Sequence, residues 1–349
     1  VHGPLQQCAL QGTTDTIHAI LPMVPQESAT ILEAQGHQAH LQGLWLGHRA
    51  GLLELLRVVP RARAAQKTRR AAVMAEPTED MLLLQAASEP ELALCGVGGG
   101  QAAAYTCRDP GKHTENEDTV AIIPYGPGAA VLVVADGAGG LPAGKRASLT
   151  AVTSLAKALQ TAMDKTMLLR TAILNGIEAA NEAVLGLGNG SATTMTVITV
   201  EGLHARSYQV GDSEAMIVGQ RGLVKLQTTA HSPTGFAVEA GFLDQRDALH
   251  HEERHLVSNF LGTTDMRIDV GAAVKLSPRD TVFVASDGLM DNVHVEEIIE
   301  CVRKGPLEKA VRCAVDLANR RMLGDEPGEP SKPDDLSLIL FRKPDRPAT

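Results

Sequence analysis

Two apolar runs of this chain each end in an aspartate that a glycine follows. Ala129–Asp136 reads AAVLVVAD and precedes Gly137, and Asp280–Asp287 reads DTVFVASD and precedes Gly288. A buried strand that ends in a carboxylate, beside a glycine that lets the backbone turn sharply, is suited to holding a metal ion. One Asp-Gly pair would be an ordinary turn, so the repetition of the pattern is what makes it informative.

Further acidic residues occur at predicted strand ends and turns. They are Glu117 and Asp118 before a strand, Asp212 in a GDS turn, Asp291 in SDGLMDN, and Asp334 and Asp335 before the last strand. Several carboxylates in one cleft repel each other unless cations neutralise them. Oxygen ligands select hard cations, so Mg²⁺ or Mn²⁺ would be expected. For any one of these acids considered alone, a solvated turn is the commoner explanation.

Hydrophobic periodicity predicts the elements that would carry these acids. The predicted strands are Ala102–Thr106, a hairpin of Thr119–Pro124 and Ala129–Ala135, an antiparallel meander of Thr193–Val200, His204–Val210, Glu214–Val218 and Gly222–Gln227, then Asp280–Ser286 and Leu336–Phe341. The predicted helices are Pro142–Ala162, Lys165–Leu187, Val295–Val302 and Leu307–Arg321. Strands, a helix pair, more strands, a second helix pair and a last strand predict an α+β fold with sheets packed on each other and helices outside.

Composition limits the class of protein. The 349 residues are 44% hydrophobic, which is enough for a large core, and the formal charge of −9 argues against a nucleic-acid binder. No apolar run approaches the length of a transmembrane helix, and the first residues, VHGPLQQ, lack the basic start of a secretory signal. The five cysteines form no CxxC pair, so reduced thiols and a cytoplasmic location are expected.

The chain is predicted to divide near residue 95. Residues 1–90 are poorly patterned. We therefore expect 1–94 to be an N-terminal region of unknown fold, either partly helical or disordered, whereas 95–343 form the regular domain and 344–349 a tail. Leu41–Val59 has the pattern of an amphipathic helix, with Trp45 on its apolar side. Arg57–Arg70 carries six basic residues and no acid. That run is either a contact for an anionic partner or, as is commoner, a solvated helix end or linker.

Eight segments resemble, in order, the metal-dependent protein phosphatases (the PPM or type 2C serine/threonine phosphatases). They are ENEDT (115–119), VVADGAGG (133–140), GSATTMTV (190–197), YQVGDSEAMIV (208–218), AHSPT (230–234), HHEERHLVSNFLGT (250–263), VFVASDGLMDN (282–292) and KPDDLSLIL (332–340). The resemblance runs from about residue 96 to about residue 343 and makes 95–343 a phosphatase domain, of bacterial style because few insertions separate the segments.

The resemblance implies a four-layer α-β-β-α sandwich, two antiparallel sheets flanked by helix pairs, with two Mn²⁺ or Mg²⁺ ions at one end. By their match to the family, Asp136 bridges both ions, Asp287 and Asp334 complete the first site, and Glu117, Asp118 and the carbonyl of Gly137 hold the second. Asp212 and Asp291, with Asp287, match a weaker third-metal site. Asp335 stands where the family often has Asn and is expected to support the ligands from outside.

The implied reaction is hydrolysis of phosphoserine or phosphothreonine by a hydroxide that bridges the two ions. Asp136, Asp287 and His113 are the implied catalytic residues. The family usually has an Arg at the position of His113, where it clamps the substrate phosphate. Here His113 or Lys112 would have to supply the cation, or His113 is a loop residue without a phosphate role.

Two other positions depart from the family. Ala138 stands where some relatives carry a His that is proposed as a general acid, so a water or His113 would protonate the leaving group. Glu214 stands where Arg is common, which is expected to be a surface or packing change. His250, His251 and His255 have zinc-like spacing, but they fall in the flap-like segment of the family, and a flap or surface role is the expected one.

Three functions therefore remain open from the sequence. The leading one is a protein serine/threonine phosphatase, a monomer that acts on phosphorylated proteins. The second is a weakly active or inactive phosphatase-fold regulatory or binding module, which the missing Arg favours and the intact acids oppose. The third keeps the same chemistry but acts on a small phosphate ester.

Overall fold

The computed structural model describes residues 80–85, 90–111, 115–138, 143–188 and 190–344. The chain divides into two units, Val1–Leu53 and Glu54–Thr349, and every described residue belongs to the second. The predicted helix Leu41–Val59, the basic run Arg57–Arg70 and residues 345–349 of the predicted tail lie outside the described residues.

One sheet contains seven of the described strands, all paired antiparallel. Numbered along the chain, they are β1 (Leu82–Leu84), β4 (Thr119–Tyr125), β5 (Ala129–Ala135), β8 (Met195–Glu201), β9 (His204–Val210), β12 (Asp269–Val270) and β13 (Val274–Lys275). Their spatial order is β1-β4-β5-β8-β9-β12, and β13 also pairs with β9.

A second antiparallel sheet contains six of the described strands. They are β2 (Glu91–Val97), β3 (Gly100–Cys107), β10 (Glu214–Val218), β11 (Val224–Gln227), β14 (Thr281–Ala285) and β15 (Leu336–Arg342), in the spatial order β11-β10-β14-β15-β3-β2. The short strands β6 (Gly137–Ala138) and β7 (Ala192–Thr193) pair with each other.

The described helices form two long pairs and a set of short segments. The pairs are α1 (Ala143–Asp164) with α2 (Leu169–Leu185), and α6 (Val295–Val302) with α7 (Leu307–Met322). The short segments are α3 (Pro233–Glu239), α4 (Gln245–Ala248), a 3₁₀ turn (Glu252–His255) and α5 (Asp287–Met290).

The core consists of three apolar layers. In β5, Val131 and Val133 pack in the layer that joins the first sheet to α1 and α2, whereas Leu132 and Val134 pack between the two sheets. A third layer joins the second sheet to α6 and α7. Because β5 is buried on both faces, its sequence is a continuous apolar run rather than an alternating one. The predicted four-layer α-β-β-α sandwich of two antiparallel sheets flanked by helix pairs is confirmed.

The predicted meander over residues 193–227 is wrong in one respect. β8 and β9 belong to the first sheet, but β10 and β11 belong to the second. The chain changes sheets at Gly211, whose φ of 105° is a conformation that glycine adopts readily. Periodicity could not show this crossing, because strands of either sheet have the same apolar pattern.

The prediction of reduced thiols is wrong for two of the cysteines. Cys301 in α6 and Cys313 in α7 form a disulfide, with 5.5 Å between their Cα atoms. Packing of the two helices brings together residues that are 12 positions apart in sequence. Cys95 and Cys107 are free and buried, and Cys8 lies outside the described residues.

Two strands pair across the predicted boundary at residue 95. β1 lies before it and pairs with β4, and β2 spans it and pairs with β3. The sheets therefore begin upstream of the predicted start of the domain. The division into 1–94, 95–343 and 344–349 stays a prediction.

Candidate metal centre

Asp136 lies in the gap between β5 and β6, at the end of the first sheet. Thr194 N–H and Thr193 Oγ1 donate to the Asp136 carbonyl oxygen at 2.8 and 2.7 Å. The Asp136 N–H donates to Thr194 Oγ1 at 3.0 Å. These bonds fix the backbone that presents the carboxylate, so both threonines lie beside the strand end.

Asp118 links the two sheets at the same end of the sandwich. Its side chain is fully buried, and Ser286 Oγ donates to its Oδ2 at 2.9 Å. Among the described residues, its Oδ1 has no hydrogen-bond partner. Burial raises the pKa of Asp118 well above its usual value, and the carboxylates of Asp335 and Asp287 raise it further. Ser286 precedes Asp287, so the bond places Asp118 beside the second strand tip.

Glu117 and the carbonyl of Gly137 meet at Gly144 in α1. A Cβ atom placed on Gly144 would lie 2.5 Å from Glu117 Oε1 and 2.6 Å from the Gly137 oxygen. Both oxygens therefore lie against one glycine, where a larger residue would displace them. Together with Asp118 and the shared Asp136, these are the groups that the resemblance assigns to the second metal ion.

Asp335 holds the loop that precedes the acidic pair. Its Oδ1 accepts a hydrogen bond from Asp109 N–H at 2.9 Å, and its Oδ2 accepts one from Glu117 N–H at 2.8 Å. The side chain is buried. A carboxylate can accept both bonds, whereas the amide that is common at this position in the family offers one acceptor oxygen and one donor group.

Asp287 and Asp291 lie at opposite ends of the single turn α5, so both side chains face the same way. Between them lies the ammonium of Lys332, with Nζ 2.5 Å from Asp287 Oδ2 and 2.7 Å from Asp291 Oδ2. Lys332 Nζ is also 3.8 Å from Asp334 Oδ2. Burial alone would lower the pKa of Lys332, but the carboxylates of Asp287 and Asp291 raise it above its ordinary value. Lys332 was not predicted from the sequence as part of the site.

The electrostatics show that acids from both sheets converge. Burial raises the pKa of Asp136 well above its usual value, and so, in decreasing order, do the carboxylates of Asp118, Asp287, Asp334 and Asp212. Such mutual effects require the charges to be close together in a poorly solvated place. Asp136, Asp287 and Asp334 are thus parts of one cluster.

Asp212 and Asp291 form the other side of the cluster. Burial raises the pKa of Asp212 well above its usual value, as do Asp287 and Asp291, while Lys332 opposes the rise. Burial also raises the pKa of Asp291 to about 6 against the effect of Lys332. Within the described part of the chain, Asp212 Oδ1 is buried without a hydrogen-bond partner.

The carboxylate oxygens of this cluster suit a hard cation, although the side chains do not already surround one. The described residues contain no group of three or more His, Cys, Asp or Glu side chains already arranged to hold a metal ion. Two buried carboxylate oxygens, Asp118 Oδ1 and Asp212 Oδ1, nevertheless lack hydrogen-bond partners in the described part. Buried anionic oxygens without donors are costly, and divalent cations such as Mg²⁺ or Mn²⁺ satisfy them. The residues therefore fit the predicted ions.

A cleft of about 300 Å³ adjoins the cluster. The residues that line it include Asp212, Glu214, Asp287 and Asp291, together with residues of the segment 228–254. Glu214 and Gln227 both line the cleft, and Gln227 Nε2 donates a hydrogen bond to Glu214 Oε2 at 3.2 Å. The cleft gives a substrate access to the acids.

The remaining predicted residues contribute less. His113 and Lys112 lie outside the described residues, and Ala138 pairs with Ala192 in the short β6–β7 ribbon. His250, His251 and His255 line a neighbouring cleft with Glu329 and Lys332. In the described part they form no group that could hold a metal. Their flap or surface role stays a prediction.

Comparison with known proteins supports the predicted family. The protein phosphatase 2C family model matches residues 111–312. This chain belongs to the protein phosphatase 2C family. A putative protein phosphatase 2C-type protein of Streptococcus pyogenes is 28% identical over 218 residues, which are 60% of this chain and 88% of that protein.

Solved structures share the fold of this phosphatase. The PPM Ser-Thr phosphatase MsPP of Mycobacterium smegmatis, solved with cacodylate, has a TM-score of 0.58 and 26% identity over 69% of this chain and 97% of its own. The catalytic domain of PstP, solved with two manganese ions, has a TM-score of 0.55 and 23% identity over 73% and 99%. The predictions of the bacterial family and of the enzyme class, a protein serine/threonine phosphatase, are confirmed.

Among the described helices of the phosphatase, none combines the length and apolarity that a membrane span requires.

Proposed function

We propose that this phosphatase hydrolyses phosphoserine and phosphothreonine in proteins with the help of two divalent cations, Mn²⁺ or Mg²⁺. Family membership supports the reaction, and the presence of two manganese ions in the PstP structure is in keeping with the number of ions. The observation that carries the proposal is the cluster of acids from both sheets, with the buried, unpartnered oxygens Asp118 Oδ1 and Asp212 Oδ1.

In this proposal the ligands come from both sheets. Asp136, Asp287 and Asp334 would hold one ion, and Asp136, Glu117, Asp118 and the Gly137 carbonyl would hold the other. When bound, the ions supply a nucleophilic water at neutral pH and neutralise charge on the phosphoryl oxygens.

The surrounding residues keep these ligands in place. Thr193 and Thr194 hold the backbone of Asp136 through three hydrogen bonds. Asp335 holds the backbone of Glu117, and Ser286 holds one oxygen of Asp118. Because Asp136, Glu117 and Asp118 are each held by a partner from another element, these three acids have little freedom to rearrange.

A cysteine nucleophile has no support among the described residues. Burial raises the pKa of Cys95 to about 12 and that of Cys107 to about 11, so both stay protonated at neutral pH. Cys301 and Cys313 form a disulfide and so have no free thiol. Since only a thiolate attacks phosphorus readily, these residues do not form a phosphocysteine.

The test is phosphate release from a phosphothreonine peptide by the full chain. We expect release with Mn²⁺, loss of release with a chelator, and recovery when Mn²⁺ is restored. A small phosphate ester, assayed in parallel, should be a poorer substrate. Release that persists in excess chelator would contradict the metal proposal, and faster turnover of the small ester would contradict the protein substrate. No turnover of either would favour the regulatory module.

The phosphate group of the substrate needs a cation. Arg246 and Arg254 line the cleft, but Arg254 donates to the carbonyls of Leu249 and Ser331, and Arg246 pairs with Glu296. We propose that His113, with Lys112 beside it, fulfils this role. Substitution His113→Arg should then lower the KM for the phosphopeptide, because a guanidinium binds phosphate through two hydrogen bonds. An unchanged KM would exclude His113 as the clamp. The monomeric state and cytoplasmic location also stay predictions.

A further inference from the structure

Lys332 is held in the acidic cluster by its backbone as well as by its charge. The Lys332 N–H donates to Asn292 Oδ1 at 2.6 Å, and Asn292 Nδ2 donates to the Lys332 carbonyl at 2.7 Å. Asn292 is fully buried and directly follows Asp291. Arg254 Nη2 donates to the carbonyl of Ser331, the preceding residue, at 2.8 Å. The backbone of Lys332 is therefore held in place beside α5.

The ammonium occupies the place between two carboxylates that the family resemblance gives to a third metal ion. Lys332 Nζ contacts Asp287 Oδ2 and Asp291 Oδ2, and 19% of the side chain is exposed. Asp212, the remaining acid of that predicted site, is also acted on electrostatically by Lys332. Because Nζ lies within hydrogen-bonding distance of Asp287 Oδ2 and Asp291 Oδ2, a divalent cation could not bind these two oxygens together unless the ammonium moved away.

We propose that the Lys332 ammonium takes the place of the third metal ion, so that this chain binds two divalent cations and no third. The inference rests on the proposed two-ion function, since Asp287 is shared with the first metal site. The single charge of the lysine offsets part of the negative charge of Asp287 and Asp291 at any metal concentration.

The chain offers a matched control for this idea. Lys225 Nζ lies 2.5 Å from Asp280 Oδ2, and 22% of its side chain is exposed. The pair has the same chemistry and nearly the same exposure as Lys332 with Asp287. Lys225 and Asp280 are not among the residues that line the cleft beside the acids. Replacing Lys225 removes an equivalent ion pair at a distance from the proposed metal centre.

The test counts bound ions by equilibrium dialysis against millimolar Mn²⁺, followed by elemental analysis. We expect two ions per chain for the natural protein, two for Lys225→Ala, and three for Lys332→Ala. Lys332→Arg keeps the positive charge and should stay at two. Lys332→Gln serves as a second uncharged variant, and thermal unfolding shows which variants are folded.

Each outcome decides between the two proposals. Three ions in the natural protein would overturn the inference and leave the proposed function intact. An unchanged count of two in folded Lys332→Ala and Lys332→Gln would also overturn it. No bound Mn²⁺ in the natural protein, with the same result for Asp136→Asn, would instead refute the proposed function on which the inference depends.

Discussion

At the scale of single residues, the centre depends on carboxylates that would repel each other without cations. Besides burial, the carboxylates of four other acids raise the pKa of Asp136, and Asp118 is completely buried. Such groups are stable only when a cation or a proton neutralises them. The substitution of one ligand should therefore affect the metal content before it affects the fold.

Asp136→Asn and Asp287→Asn should each lower kcat with the phosphopeptide by more than about 100-fold, which exceeds the usual loss for residues that only support a ligand. Each change removes an anionic oxygen that the ions require. Steady-state kinetics with Mn²⁺ measure the effect. Asp316→Asn, an exposed change on α7, is the control. A loss of less than about tenfold at Asp136 would contradict its role as the shared ligand.

Asp335→Asn tests whether the carboxylate at this position is needed. The Asn side chain has only one acceptor oxygen, so its NH₂ group must face the N–H of either Asp109 or Glu117. One of the two buried hydrogen bonds is therefore lost. We expect the free energy of unfolding to fall by about 1–3 kcal/mol. Mn²⁺ affinity should weaken by about 10- to 100-fold. Chemical denaturation and metal titration provide the two values, and an unchanged Mn²⁺ affinity would exclude the supporting role.

At the scale of elements, helix α1 forms part of the proposed second metal site. The close contact of Gly144 with Glu117 and Gly137 leaves no space for a side chain. The Gly137 oxygen belongs to the backbone and cannot move as a flexible side chain could. The start of α1 thus determines where two ligand oxygens lie.

Gly144→Ala should lower Mn²⁺ affinity, because the added methyl group would push the Gly137 carbonyl and Glu117 apart. Gly128→Ala is the matched control, since a Cβ atom there meets nothing within 4 Å. Isothermal titration with Mn²⁺ measures both variants. Equal affinities in folded Gly144→Ala and Gly128→Ala would show that these oxygens do not bind an ion.

The sequence predicted most elements because their apolar periodicity is clear. His204–Val210, Glu214–Val218 and Val295–Val302 have the predicted bounds. The assignment of β9 and β10 to different sheets could not be predicted, since it depends on the turn at Gly211. The disulfide of Cys301 with Cys313 depends on how two helices pack, which the spacing of cysteines does not show.

The candidate site was also only partly predictable from the sequence. The acids could be named because they lie at strand ends within segments that resemble a family. Lys332 was missed, although it lies in KPDD beside Asp334, because a lysine in a loop usually points into solvent. Its inward position depends on Asn292, which is 40 residues away in sequence.

At the scale of the whole molecule, metal binding and folding are coupled through the protons on the acids. The pKa values of Asp118, Asp136 and Asp212 are raised in the folded, metal-free chain above the ordinary value of 3.8. The folded chain therefore holds protons that the unfolded chain has lost. Stability of the metal-free chain must fall as the pH rises above about 3.8, through the raised values.

Divalent cations remove this penalty by neutralising the ionised acids, so they should stabilise the fold more at high pH than at low pH. We expect the rise in Tm caused by Mn²⁺ to be larger at about pH 8 than at about pH 5, where protons compete for the same oxygens. Thermal unfolding with and without Mn²⁺ measures it. Asp136→Asn should reduce the difference, and a Tm shift independent of pH would contradict the coupling.

The most direct test of the whole account is the anomalous scattering of Mn²⁺ in crystals of the full chain. The account predicts two peaks that share Asp136, one beside Asp287 and Asp334 and the other beside Glu117 and Asp118. Crystals grown in Mn²⁺ that diffract well and show no peak next to Asp136 would contradict it.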